Sequence, residues 1–188
     1  PAIHKLAQEI EWDEAVPKAA FAALGDKINQ RHGEQITLLF HAVASGNVAA
    51  VDALLAAGAD TSMVDKLPDS SRNFVYYLTL PGGPLLDMDG ITQMIGSYLK
   101  HGGDPNGSFG PPQNVHYLAG GLALNKNLKG LRMVLDAGGD PWRYDLNEGE
   151  LYGNAMTNLA ADSQVDVLDD LIDAGYFDAV PLPLLQDF

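Results

Sequence analysis

The segment Thr37-Leu38-Leu39-Phe40-His41-Ala42-Val43, then Gly46-Asn47, Val51, Leu54-Leu55 and Gly58-Ala59-Asp60, describes two short helices and a stop. Val51, Leu54 and Leu55 stand seven, four and three positions before Gly58. That spacing sets three apolar side chains on one helical face. A glycine just after such a face supplies the left-handed turn that ends a helix.

The same arrangement returns three times along the 188 residues. Ile95, Tyr98 and Leu99 precede Gly102; Leu131, Val134 and Leu135 precede Gly138; Leu168, Leu171 and Ile172 precede Gly175. A small residue and Asp follow three of the four glycines, as Ala59-Asp60, Gly103-Asp104 and Gly139-Asp140. Four such helices with one stop signal are an internal repeat, and they are expected near residues 48–57, 91–101, 128–137 and 165–174. No substantial sheet is expected.

The first copy resembles the ankyrin repeat, whose period is about 33 residues and whose signature is T-P-L-H-x-A. Leu38 stands in place of the proline and Phe40 in place of the histidine. The resemblance covers roughly residues 33–178. It implies an all-α ankyrin solenoid of about four helix pairs. Residues 1–32 would form an N-terminal capping helix or degenerate half-repeat, and 179–188 a C-terminal capping tail. A helix is expected over 13–24, although Pro17 limits where it can begin. End caps are needed because a repeat buries its apolar face only against a neighbour.

The glycines are 44, 36 and 37 residues apart, which exceeds the ankyrin period by roughly 11, 3 and 4. Gly90 precedes Gly102 as Gly46 precedes Gly58, so most of the first excess is expected before Gly90, in the turn-rich stretch 81–89. In the third copy Asn114-Val115-His116-Tyr117-Leu118-Ala119 reads as the first helix, with the extra residues near Gly120-Gly121. In the fourth, helix begins at Asn154, and the excess lengthens the finger-like loop between Asp140 and Tyr152.

The charge is lopsided: 11 Lys plus Arg against 25 Asp plus Glu, a formal net charge of −14. Such a field disfavours nucleic acid and anionic membrane surfaces and favours a basic protein partner. No apolar run approaches the length of a transmembrane segment. Cysteine is absent, which excludes disulfides and thiolate sites. The chain starts at Pro1, and the expectation is that a preceding segment was removed, by trimming or by processing of an export signal.

No chemistry-bearing motif is present. The five histidines have no ligand spacing, and there is no phosphate loop or nucleophile elbow. Asp87-Met88-Asp89-Gly90 opens like a calcium loop, but residue 96 is Gly where the closing glutamate belongs. The chain is therefore expected to be no enzyme and to hold no metal or cofactor. His101, at the end of a repeat helix, is explained by repeat geometry.

Ankyrin proteins bind partners through their first helices and loop fingers. The resemblance thus points to Tyr76 on the second copy's first helix, Asp87 and Asp89 in the insertion, and His116. It points also to Trp142, Arg143, Tyr144 and Asp145 in the extended finger. Trp, Tyr and Arg are the residue types that dominate interface hot spots. Phe74 and Tyr77 are expected to pack between repeats.

The stops Gly102-Gly103-Asp104 and Gly138-Gly139-Asp140, with elongated loops, are similar to those of bacterial ankyrin proteins paired with type VI secretion phospholipase effectors. That resemblance implies an immunity protein in the periplasm that plugs a toxin's active-site cleft. The alternatives are a cytoplasmic regulatory adaptor for another protein and, far behind, a small hydrolase on the same scaffold.

Overall fold

The structure, a computed structural model, describes residues 2–12, 18–32, 36–64, 72–82, 86–161 and 164–178. The expected tail at 179–188 lies outside these residues, as do 13–17 of the helix expected over 13–24 and 83–85 of the expected insertion. The described residues are mostly helical, with two small antiparallel hairpins. They belong to two compact units, Pro1–Asp104 and Pro105–Phe188.

The first unit holds α1 (Ala2–Glu11), α2 (Lys18–Ala22), a 3-10 turn (Gly25–Asn29), α3 (Leu38–Ala44), α4 (Val48–Ala56), α5 (Phe74–Leu78) and α6 (Met88–Lys100). Helix α1 packs on α3, α2 on α4, and α4 on α6. Ile10, Phe21, Leu38, Val51, Leu54, Phe74, Met94 and Ile95 are fully enclosed. Asn47 joins α1 to this core by donating Nδ2–H to the Ile10 carbonyl at 3.2 Å.

The second unit holds β1 (Ser108–Phe109), β2 (His116–Tyr117), α7 (Leu118–Leu124), α8 (Leu128–Asp136), β3 (Asp145–Asn147), β4 (Glu150–Gly153), α9 (Ala155–Ala161) and α10 (Val165–Asp173). Helix α7 packs on both α8 and α9, and Leu118, Leu122, Leu131, Val134 and Leu159 form the core. Asn158 donates to the Gly120 carbonyl at 3.0 Å, a polar tie between α7 and α9.

The four second helices fall where the glycine spacing puts them, at 48–56, 88–100, 128–136 and 165–173. Their stop glycines all have left-handed backbones, with φ of 86°, 85°, 91° and 81° at Gly58, Gly102, Gly138 and Gly175. Helix starts are marked as clearly. Side-chain oxygens of Thr37, Asn47, Asn73, Asp87, Asn127 and Asn154 each accept the N–H three residues on. Each cap is worth about 1 kcal/mol.

Positions of caps and stops show where the spacing varies. In three copies the second cap follows the first by 10 positions (Thr37 to Asn47, Tyr117 to Asn127, Asn154 to Gln164). The second copy differs. Its caps, Asn73 and Asp87, are 14 apart, and α6 has 13 residues where α4 has 9. Gly90 is therefore not the counterpart of the turn residue Gly46, because it lies inside α6. Part of the excess expected before it is an extra helical turn.

Three further expectations are corrected. Asn114 to Tyr117 is not helical: Tyr117 is extended (φ −102°, ψ 150°) and pairs with Ser108, so α7 begins at Leu118. Gly120 and Gly121 are buried inside α7 rather than inserted beside it. On α10 only Leu171 is buried, Leu168 is half-buried and Ile172 is 40% exposed.

Leu131, wholly buried in α8, carries the core of the second unit. Leu131→Ala should cost about 2–5 kcal/mol by chemical denaturation. An unchanged midpoint would place the core elsewhere.

Candidate functional site

The expected contact residues are distributed over both units. Tyr76, Asp87 and Asp89 belong to the first, and His116, Trp142, Arg143, Tyr144 and Asp145 to the second.

In the first unit, Tyr76 is half-buried on α5, its ring lying under the Arg72 guanidinium at 4.9 Å and edge-on to Tyr77 at 5.2 Å. Phe74 is enclosed, and Tyr77 is half-buried against Phe40. Asp87 caps α6, accepting the Gly90 N–H at 2.7 Å. Asp89 is exposed in the first turn of α6, where a negative charge suits the helix dipole. The carboxylates thus serve the helix start. Among the described residues, no three His, Asp or Glu side chains gather as a metal site.

His101 does more than end a helix. Its Nε2 meets the Asp52 carboxylate at 2.9 Å, where Lys100 (3.1 Å) and Lys18 (3.3 Å) also converge. The His101 hydrogen bond, then those of Lys100 and Lys18, holds the Asp52 carboxyl well below its usual range, against the opposing effect of burial. The node ties α2, α4 and the end of α6.

The second unit contains the denser cluster. Asp145, at the start of β3, is 3% exposed. Its Oδ1 accepts the Tyr117 N–H at 2.8 Å, and its Oδ2 faces His116 Nδ1 at 3.2 Å. Tyr117 caps α7 without a side-chain bond of its own, so Asp145 braces that helix start from across the chain. Gly120 lies close beside this brace: a Cβ there would stand 3.1 Å from the Asp145 carboxylate and press on it. Burial pushes the Asp145 carboxyl above its ordinary range, opposed by the Tyr117 N–H and by His116. His116 stacks on Phe109 at 5.3 Å, and the Arg143 guanidinium lies 5.1 Å over the Tyr117 ring.

From this base a finger extends. Strands β3 and β4 form a hairpin closed by Glu148 and Gly149, both left-handed (φ 54° and 84°), the signature of a tight two-residue turn. Leu146 N–H donates to the Val115 carbonyl and Gly149 N–H to that of Gln113, both at 2.8 Å, while Glu148 N–H reaches Asn114 Oδ1 at 2.7 Å. One side of the finger is thereby strapped to the segment before α7.

The finger presents two residues that sequence reasoning did not select. Leu151 and Tyr152 on β4 are 65% and 64% exposed. Trp142, by contrast, is half-buried, edge-on to Phe177 at 5.5 Å, and its Nε1 is enclosed without a partner among the described residues. Arg143 is exposed and Tyr144 half-buried. No protein-family model matches the chain, and no curated protein matches it.

Two outcomes follow from these nodes. Asp145→Ala leaves the Tyr117 N–H and the His116 imidazole unpaired, so it should cost about 1–3 kcal/mol, with Asp145→Asn in between. Equal stability of all three chains would deny Asp145 a bracing role. The depressed Asp52 carboxyl contributes stability above its unfolded value of 3.8, and that contribution is lost as pH falls toward its lower folded value. Because both lysines are largely exposed, the contribution should be no more than about 1 kcal/mol. Wild type should therefore lose more stability than Asp52→Asn between about pH 4 and pH 2. Parallel acid titrations would contradict this.

Proposed function

We propose that this protein is an ankyrin-type protein-binding module, and that it holds a secreted effector of the phospholipase kind in an inhibited state. The observation that carries the binding reading is the hairpin finger: rigidly strapped at its base, it exposes Leu151 and Tyr152 with Arg143 beside its root. Two adjacent large side chains held out on an anchored hairpin are available to a partner, and covering them would remove apolar surface from water. Tyr and Arg bury much area while keeping a polar group for the partner, which makes them common anchors.

The repeat supports the same reading. Helix pairs that end on the same left-handed glycine stop, with caps 10 positions apart in three of the four copies, are in keeping with an ankyrin array. The choice of effector rests on the glycine-glycine-aspartate stops and elongated loops. Acidity adds to it, because a net charge of −14 speeds encounter with a basic surface. Trp142 becomes an anchor of the finger's base rather than its tip. No helix among the described residues is long and apolar enough to cross a membrane.

The test is to combine Arg143→Ala with Tyr152→Ala, confirm the fold by melting, and titrate each chain against a purified phospholipase effector of the type VI secretion kind. Loss of one such anchor costs about 2 kcal/mol or more, so affinity should fall at least about thirtyfold, with enzyme activity restored in step. Lys129→Glu and Arg132→Glu, on the exposed face of α8, should leave inhibition intact. Full inhibition by the double variant, or its loss in the α8 variants, would move the contact surface away from the finger.

A further inference from the structure

The hairpin has one strapped side and one open side. In an antiparallel ladder, residues alternate between pairs that exchange hydrogen bonds and pairs whose N–H and C=O groups point away from each other. Asn147 and Glu150 flank the two-residue turn and form a bonded pair. The next pair, Leu146 and Leu151, is then a non-bonded one, and Leu146 proves it by sending its N–H to Val115 on the other side. Leu151 must likewise turn its N–H and C=O outward, away from β3. No described group takes them up.

The edge of β4 is thus an unpaired backbone donor and acceptor set between two exposed apolar side chains. Proteins blunt such edges with short strands, bulges, charged side chains, proline or a covering segment. Here neither Pro nor Lys occurs in Glu150–Gly153, and the register shift that frees Tyr152 leaves it 64% exposed. The exposed charges at the turn and strand start are Glu148 and Glu150, both acidic.

We infer that the outer edge of β4 is a strand-addition site for an extended, lysine- or arginine-bearing segment of the partner protein. The segment's backbone pairs with Leu151, its apolar residues cover Leu151 and Tyr152, and its cations face Glu148 and Glu150. Main-chain bonds supply affinity in this mode, and alternate side chains supply specificity. The inference rests on the protein-binding reading above and specifies the chemistry of that contact.

The probe is a ten-residue peptide of alternating lysine and valine, added to the full chain while amide exchange is followed by NMR. Saturating peptide should slow exchange at the Leu151 amide by at least about tenfold. The same peptide N-methylated at each central residue keeps its charge and side chains but cannot pair, and should give no protection. Leu151→Pro removes the outward N–H together with the leucine side chain but no bond to β3, so it should melt like wild type yet bind the peptide at least about tenfold more weakly, and the methylated peptide isolates the main-chain share.

Three results would overturn the assignment: no peptide binding, binding that leaves the Leu151 amide unprotected, or equal binding by the methylated peptide. A concentration-dependent dimer that protects Leu151 without peptide would make a second copy the occupant and also overturn it. If Leu151→Pro unfolds, the exchange and methylation results on the wild-type chain still decide. If folded Leu151→Pro holds the phospholipase at full strength, strand addition fails while the binding module stands.

Discussion

Everything in this fold depends on a left-handed residue at the end of each second helix. With φ between 81° and 91° at the four stop glycines, the chain leaves each helix in a direction that an L side chain would resist by roughly 1–2 kcal/mol. In the second and third stops the residue after it is constrained in another way. A Cβ on Gly139 would lie 2.6 Å from a Val134 methyl carbon, and one on Gly103 would enter the Tyr98 ring at 2.4 Å. The aspartate that follows then makes a local turn. Asp60 accepts the Ser62 N–H and Asp140 the Trp142 N–H. Each of the two also donates its own N–H to an earlier asparagine, Asp60 to Asn29 Oδ1 and Asp140 to Asn106 Oδ1, both at 2.8 Å. At Gly138-Gly139-Asp140 the stop is therefore a complete joint: a reversal, a close approach and a polar lock.

The finger between α8 and α9 is the place where that joint is turned to use. A buried carboxylate is expensive unless its hydrogen bonds are fully supplied. Asp145 meets that demand with the Tyr117 N–H and His116, and in doing so fixes the root of the hairpin to the start of α7. Three further main-chain N–H bonds, from Leu146, Glu148 and Gly149, secure one flank. Order at the base allows Leu151 and Tyr152 to be held out in water with little entropy left to lose on binding.

Much of the helical framework was legible in the sequence because it is local. The face of Leu131, Val134 and Leu135 and the stop at Gly138 need only a helical period and a turn propensity. The third copy's first helix was misplaced because Asn114 to Tyr117 lacks a strong local signal. Its extended state is imposed by pairing with Ser108 and by Asp145, 28 residues further on. Asp52 could not be linked to His101 for the same reason, since the pair is 49 residues apart. Within the finger, residue type points to Trp142, Arg143, Tyr144 and Asp145. The turn residues Glu148 and Gly149, followed by Leu151-Tyr152, carried a hairpin signal that pointed to the exposed pair. Trp142 was selected by residue type, but Phe177, 35 positions later, is what it packs against.

The most direct test of the proposed binding is amide hydrogen exchange of the chain alone and in the presence of the phospholipase effector proposed as its partner. Slowed exchange should concentrate on residues 143–153, with the exposed second-helix face around Lys129 and Arg132 unchanged. Protection confined to α8 or α10, with the finger exchanging as it does in the free chain, would contradict the account.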